Sequence, residues 1–487
     1  MNSSSLAAQK TITPSVRKFA FGGALLGAGF ILTSLCTLVR SIVIARGITV
    51  EDFGIGSALL AVLALIEMST AIAVDKQLLQ DESGDSDEML AGAHTMAVAR
   101  GIICSLLLLA IAWPTSILLN LSELLWAFQL VAIAPLLNCF THYEYVAMQR
   151  HSRQGPAVAI TAVPEIVITL LLIPVIYLWP DFRSIIFVCL ALPVARVVIS
   201  HLLARRAYKL SFDRVLLMKM LRFAWPLMLS GLLLFGIFQG DRLIVGYFFD
   251  VHTLGYYSLA LTFFLLPGQI LHRICNSLFL SHVADAFRGQ HDWQSWSGIF
   301  WNCLLFIAAA YCVFCSFIGA WLMTLVFGEK YAPAADLIPF IGLMVSLRIM
   351  RIAPSVLALA LAQPGCELRA NLARSIAIPL AVLIVARGHT IEAVAVAAVV
   401  GELLALVTAW ISLRLPAHPT RLWQHDPRML ALSLTAICIS ALPILLSPSS
   451  PNLFNSAMVS ACVLSFMFFL CFQRAQTLIN ARGASNE

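Results

Sequence analysis

Apolar runs near 20 residues recur from one end of this 487-residue chain to the other. As a helix, such a run crosses the ~30 Å hydrocarbon layer of a bilayer. No water is available there to satisfy exposed backbone groups, so an all-helical fold is the expected outcome. The runs fall near 19–45, 53–78, 91–118, 124–147, 156–178, 183–204, 223–249, 252–280, 298–327, 332–362, 370–387, 391–413, 429–447 and 455–473. The fold class expected is an all-α polytopic membrane protein with about 14 transmembrane helices. Composition agrees: 60% of residues are hydrophobic and 11% charged, against about 25% charged in ordinary soluble domains. The first run follows Lys10, Arg17 and Lys18. It is too long for a signal-peptide core and reads as a retained first helix.

An even number of spans places both termini on one side. With the N-terminus in the cytoplasm, Lys76, Arg150, Arg153, Arg205, Arg206, Lys209, Lys219 and most other basic residues fall at cytoplasmic ends, while the outer loops hold only Arg46, Arg183, Lys330 and Arg387. That is the positive-inside pattern, and it accounts for the net charge of +6 without a nucleic-acid partner. The loops are short, the longest being 79–90, 281–297 and 414–428, with the acidic "DESGDSDE" stretch read as a solvated cytoplasmic turn. No loop is large enough to fold into a catalytic domain. There is no G-x-x-x-x-G-K-[ST] loop for a nucleotide, and the histidines lack metal-ligand spacing. Cys312 and Cys315, at redox-motif spacing, read as apolar packing residues within a helix. No enzyme activity, metal or cofactor is expected.

Seven arginines remain, all within the spans: Arg40, Arg100, Arg196, Arg242, Arg273, Arg348 and Arg351. Each costs ~2.5–3.5 kcal/mol at the bilayer centre on insertion scales, so the set requires a purpose. Guanidinium groups at several depths suit the passage of an anion, because their forks bind phosphate oxygens bidentately. Arg242 shares a helical face with Gln239, whereas Asp241 points about 100° away toward another helix. An alternative for that pair is a structural ion pair. Arg348 and Arg351 share one face at i, i+3, and Arg100 and Arg196 suit helix-end or interhelical roles. The intramembrane acids Glu67, Glu165, Glu402 and Asp241 are candidates for carrying a coupling ion or orienting an arginine. Glu165 follows Pro164, where a helix break is expected; Glu402 also reads as a counter-ion.

An internal repeat organises the chain. "VRSIVIARGITVEDFGIGSALLA" from Val39 and "DRLIVGYFFDVHTLGYYSLALT" from Asp241 each run from an Arg through Ile-Val and an outer turn to a Gly, Gly54 or Gly255. Six spans per half keep the two halves in one orientation, with the site expected between them near the midplane. The expected divisions are a cytoplasmic tail (1–18), a first lobe (19–206), a linker (207–222), a second lobe (223–414), a linker (415–428), two appended helices (429–473) and a cytoplasmic tail (474–487).

These features together resemble the polysaccharide-exporter (Wzx-type O-antigen and exopolysaccharide) flippases of the multidrug/oligosaccharidyl-lipid/polysaccharide superfamily. The markers are "LVRSIVIARGITVEDFGIGSALL", "FAWPLMLSGLLLFGIFQGDRLIVGYFFDVHTLGYYSLA" and "LVFGEKYAPAADLIPFI". The resemblance implies two six-helix lobes around a central cationic cavity. It implies a polyprenyl-diphosphate-linked oligosaccharide as cargo, moved from the cytoplasmic to the periplasmic leaflet of the bacterial inner membrane by alternating access. Arg40, Arg242, Arg273, Arg348 and Arg351 would then hold the diphosphate or anionic glycan, with Asp241, Glu67 and Glu165 as coupling or orienting acids. Partners implied are membrane lipids and polysaccharide polymerase or chain-length and export proteins. The related peptidoglycan-precursor flippases share a pattern matched by Arg40 and Arg46. They carry an acid where this chain has Ser41 and an Asp-Arg where it reads "YYSLAL", which argues against that precursor as cargo. The alternatives are an ion-coupled drug or metabolite antiporter of the same superfamily, which acids rather than arginines should line, and a polysaccharide polymerase or ligase, which needs a sizeable outer loop.

Overall fold

The computed structural model describes residues 14–413 apart from 152, 288–292, 362 and 389. All regular elements among the described residues are helical. In order they are α1 (Pro14–Gly47), α2 (Val50–Ser69), α3 (Val74–Gln80), α4 (Asp87–Leu118), a 3-10 turn (Ser122–Leu124), α5 (Leu125–Val131), α6 (Ala134–Asn138), α7 (Glu144–Arg150), α8 (Gly155–Leu178) and α9 (Arg183–Leu203). There follow α10 (Arg214–Phe248), α11 (Val251–Phe287), α12 (Trp293–Phe317), α13 (Gly319–Phe327), a 3-10 stretch (Glu329–Leu337), α14 (Ile338–Ala360), α15 (Pro364–Arg374), α16 (Ala377–Val385) and α17 (Glu392–Ser412). Eleven stretches of the described residues are long and apolar enough to cross a membrane. The expected spans 429–447 and 455–473 lie outside the described residues, as do the flanking segments 415–428 and 474–487.

Two expectations need correction. The run 124–147 is not one helix but α5, α6 and α7, with breaks at 132–133 and 139–143. Pro135 opens α6, and the Thr141 hydroxyl donates to the Asn138 carbonyl while the Ser200 hydroxyl accepts from the His142 amide. Side chains therefore replace the missing helical bonds, as a break in an apolar setting requires. Conversely, α8 runs unbroken through Pro164 and Pro174, so no opened backbone surrounds Glu165.

Helix starts follow local chemistry. The Thr49 hydroxyl accepts from the Asp52 amide at 3.0 Å, the Ser86 hydroxyl from the Met89 amide at 3.2 Å, and the Asp213 carboxylate from the Val215 amide at 2.9 Å. Each satisfies a first-turn N–H that the helix cannot. Acids in the first turns of α2 and α4 add a favourable charge against the helix dipole.

The helices pack in two groups. Helix α8 lies against α1 and α9, and α4 against α5 and α6; in the second group α14 lies against α11, α12 and α17, and α17 against α15 and α16. The groups meet mainly where α2 packs on α10 and α11 and where α1 reaches α11. One contact there is reciprocal. A Cβ added to Gly54 on α2 would come within 1.8 Å of the Val251 carbonyl oxygen, and one added to Gly255 on α11 within 2.1 Å of the Val50 carbonyl oxygen. Only glycine permits that approach. The two positions are those the sequence repeat aligns.

The acidic stretch does more than the sequence suggested. It is a largely exposed turn, and it also wraps basic side chains. Arg150 donates to the carbonyls of Leu78, Asp81 and Glu82. Arg206 meets Asp85 at 2.9 Å and Asp87 at 3.2 Å, and Lys219 of α10 meets Asp81 at 2.6 Å. The Lys219 ammonium holds the Asp81 carboxyl down at about 2. Beneath this cap, Glu144 accepts from the amides of Arg205 and Arg206 at 2.7 and 2.8 Å. His142 accepts from the Glu144 amide and faces the Arg206 carbonyl. Burial pushes the His142 imidazole below its ordinary value, so it stays neutral and pins segment 204–209.

Candidate functional site

Where α10 and α11 form a hairpin, the opening Asp241–Arg242 pair divides its work between neighbours. The Asp241 carboxylate accepts from the Tyr257 hydroxyl of α11 at 3.0 Å and from the Arg242 amide at 2.8 Å. The Arg242 guanidinium instead donates to Gln239 Oε1 at 2.6 Å and Thr262 Oγ1 at 2.9 Å, and its Nε is buried without a partner. Helical geometry explains the split: Gln239 is one turn back on the same face, while Asp241 points elsewhere. Arg242 is therefore bound by neutral acceptors and keeps its charge uncompensated by a directly contacting carboxylate.

Arg273, eleven residues beyond Thr262 on α11, is exposed. Its guanidinium stacks on the Phe30 ring of α1, 3.6 Å from the centroid, and makes no ion pair among the described residues. Stacking uses the face of the guanidinium and leaves its edge donors free.

Arg40, Arg348 and Arg351 are paired with carboxylates, whereas Arg100 and Arg196 make no ion pair among the described residues. Arg40 on α1 meets Glu165 on α8 at 2.7 Å, with both side chains near 12–13% exposed. Arg348 and Arg374 both bind Oε1 of the fully buried Glu402, at 2.6 and 2.8 Å. Arg351 lies 3.8 Å from Glu402 Oε2 and 2.9 Å from Glu367. The i, i+3 pair on α14 thus stitches α15 and α17 to α14. Phe238 of α10 lies under Arg348 and Arg374 at 5.8 and 5.1 Å. Between these helices lies a cavity of about 50 Å³ bordered by Asp241, Arg348 and Arg374, room for a few waters.

Seven of the eight candidate residues thus fall into three places. Asp241 and Arg242 lie together and Arg273 shares their helix hairpin; Arg40 and Glu165 pair with each other; Arg348 and Arg351 join the Glu402 cluster. Glu67 stands apart on α2. Its carboxylate makes no hydrogen bond or ion pair among the described residues, within electrostatic reach of Arg100 and Arg196. Arg100 donates to the carbonyls of Glu67 and Thr70, closing the C-terminal end of α2. Arg374 falls within the expected span 370–387, where its sequence position suits the cytoplasmic end. Its side chain is buried instead, and the "RANLAR" pattern of alternating charge and apolar residues does not distinguish the two. Tyr257, Thr262 and Phe30 were likewise unmarked, since each reads as ordinary helix filling.

Away from the acidic turn, the opposite end of the helices is tied across the two groups. Arg46, ending α1, donates to the carbonyls of Val326 and Leu325, both at 2.7 Å, at the end of α13. Lys330 donates back to the carbonyls of Arg46 and Ile48. Each cation sits at the other group's helix C-terminus, where the unsatisfied carbonyls favour positive charge.

Comparison with known proteins bears on the fold and the family. Among solved structures, the lipid II flippase MurJ in an inward closed conformation superposes with a TM-score of 0.68 at 12% identity, covering 94% of this chain and 100% of that one. A multidrug resistance MATE family transporter of the MOP superfamily, inward-facing, gives 0.61 at 14% identity over 78% and 93%. MATE in a bent conformation gives 0.52 at 14% over 86% and 96%. At these identities the likeness is one of fold. No curated protein matches the sequence. A family model described as "Polysaccharide biosynthesis protein" matches residues 43–336, more than half the chain. The chain therefore belongs to the polysaccharide biosynthesis protein family, on the fold of the MOP-superfamily transporters and flippases.

Proposed function

We propose that this protein is a flippase that moves polyprenyl-diphosphate-linked oligosaccharide repeat units from the cytoplasmic to the periplasmic leaflet of the bacterial inner membrane. It would act by alternating access between a first lobe (19–206) and a second lobe (223–414), for cell-surface or exopolysaccharide synthesis. The observation that carries this reading is the pair of guanidiniums on one hairpin, Arg242 and Arg273, that no carboxylate contacts directly among the described residues. Charge kept at membrane depth without a directly bound carboxylate is costly, and a cargo phosphate offsets that cost by bidentate hydrogen bonding. Family membership and the fold shared with a lipid flippase support the same reading. The acidic turn and the basic segment 204–222 would then face the cytoplasm, and the Arg46–Lys330 ties would close the periplasmic end.

Arg40, Arg348 and Arg351 take secondary roles here. Each spends its charge on a carboxylate, which suits holding α1 to α8 and α14 to α17 around the path. The test is export in cells whose only copy is the variant. Arg242→Ala and Arg273→Ala should each abolish surface polysaccharide at an unchanged membrane level of the protein. Normal export by both variants would remove this reading.

A further inference from the structure

Along α11, Ser258, Thr262, Gln269, Arg273 and Asn276 are separated by 4, 7, 4 and 3 residues. At 100° per residue they fall within a sector of about 60°, spread over about 27 Å of helix at 1.5 Å per residue. The direction of that sector is fixed at both ends. Gly255, in the same sector, lies against Val50 of α2, and Arg273 lies on Phe30 of α1. The flank of α11 toward α14, marked by Gly268 against Val345, is a different sector. The stripe thus looks from the second helix group toward the first.

Its hydrogen-bonding is incomplete. Ser258 Oγ, Asn276 Oδ1 and the Nε of Arg242, which is bound to Thr262, are buried with no partner. A buried polar atom left unpaired costs about 1–3 kcal/mol, so two on the stripe and a third on the arginine bound to it point to a ligand that completes them. Gln269 is exposed on the same line. On α1, whose Phe30 meets Arg273, Thr33, Thr37 and Ser41 lie at successive turns, each hydroxyl donating to a carbonyl of its own helix and so presenting acceptor lone pairs outward. Hydroxyl and amide groups in series, far longer than one diphosphate, match a hydroxyl-rich ligand rather than a phosphate or an apolar tail.

We propose that the Ser258–Thr262–Gln269–Asn276 stripe of α11, facing Thr37 and Ser41 of α1, is the binding track for the uncharged, hydroxyl-rich glycan of the cargo, with Arg273 taking its anionic end. This rests on the flippase reading and adds to it the site that senses glycan length. Serine-to-alanine and glutamine-to-leucine changes remove single neutral hydrogen bonds. Two such losses weaken a bound glycan by about tenfold.

The test uses the full-length protein in liposomes with two cargoes, polyprenyl diphosphate bearing a complete oligosaccharide and the same lipid bearing one sugar. Ser258→Ala/Gln269→Leu should slow translocation of the first about tenfold and leave the second at the wild-type rate. Equal slowing of both cargoes, or slowing of neither, overturns the track. If the wild type moves neither cargo, the flippase reading fails separately. The track is then decided by whether the free oligosaccharide protects Gln269→Cys from maleimide: protection sustains it and its absence overturns it.

Discussion

Replacing Glu402 by Gln removes the one negative charge that two buried guanidiniums share. Arg348 and Arg374 are 13% and 7% exposed in their side chains and donate to the same Oε1, with Arg351 close by on the other oxygen. The remaining acid near them, Glu367, binds Arg351 and is a third exposed, so it compensates little. Breaking a buried pair by removing one partner costs about 3–5 kcal/mol, because the surviving charge stays desolvated. At about 2–4 °C per kcal/mol for a unit of 150–250 residues, the size of one helix group, Tm should fall by roughly 6–20 °C. The assay is unfolding of the detergent-purified protein followed by intrinsic tryptophan fluorescence. Glu402→Met combined with Arg348→Met and Arg374→Met should recover most of the loss, since an apolar cluster of similar volume avoids desolvation altogether. A Glu402→Gln protein melting within 2 °C of the parent would refute the claim that this carboxylate holds the cluster together.

Other perturbations probe other parts of the chain. Gly54→Leu or Gly255→Leu cannot keep the α2–α11 approach, so labelling of Thr262→Cys by an impermeant maleimide from the Arg46–Lys330 end should rise; unchanged labelling would show that this contact does not control access. Arg242→Lys retains charge but loses the fork that spans Gln239 and Thr262, and should keep less than a tenth of wild-type transport. For the acidic cap the sign follows from Asp81. Its carboxyl is held below the unfolded value of 3.8, at about 2, so its contribution is present above pH 4 and lost as pH falls toward 2. Proteolytic cleavage within 204–213 should accelerate over that window in the parent and less so in Asp81→Asn.

Much of the fold was legible because the bilayer permits few solutions. Apolar run length alone located the eleven stretches found among the described residues, and the Arg-to-Gly repeat pointed to Gly54 and Gly255, which meet each other's helix starts. Run length could not reveal the broken segment 124–147, since α5 and α6 are as apolar as a continuous helix. It also missed the acidic turn, where backbone carbonyls rather than side chains take up Arg150. In the site, helical phase told correctly that Arg242 would meet Gln239 and that Asp241 would look to another helix, where it found Tyr257. Phase says nothing of partners far along the chain. The pairing of Arg40 with Glu165 and of Arg374 with Glu402 depends on which helices become neighbours, and single-helix geometry carries no record of that.

The most direct measurement is translocation by the purified protein in liposomes carrying polyprenyl-diphosphate oligosaccharide in both leaflets, read by an impermeant sugar-modifying enzyme. The account predicts modification beyond the outer-leaflet fraction with the wild type and none beyond it with Arg242→Ala. Modification confined to the outer-leaflet fraction with the wild type, under imposed H⁺ and Na⁺ gradients as well as without them, would contradict it.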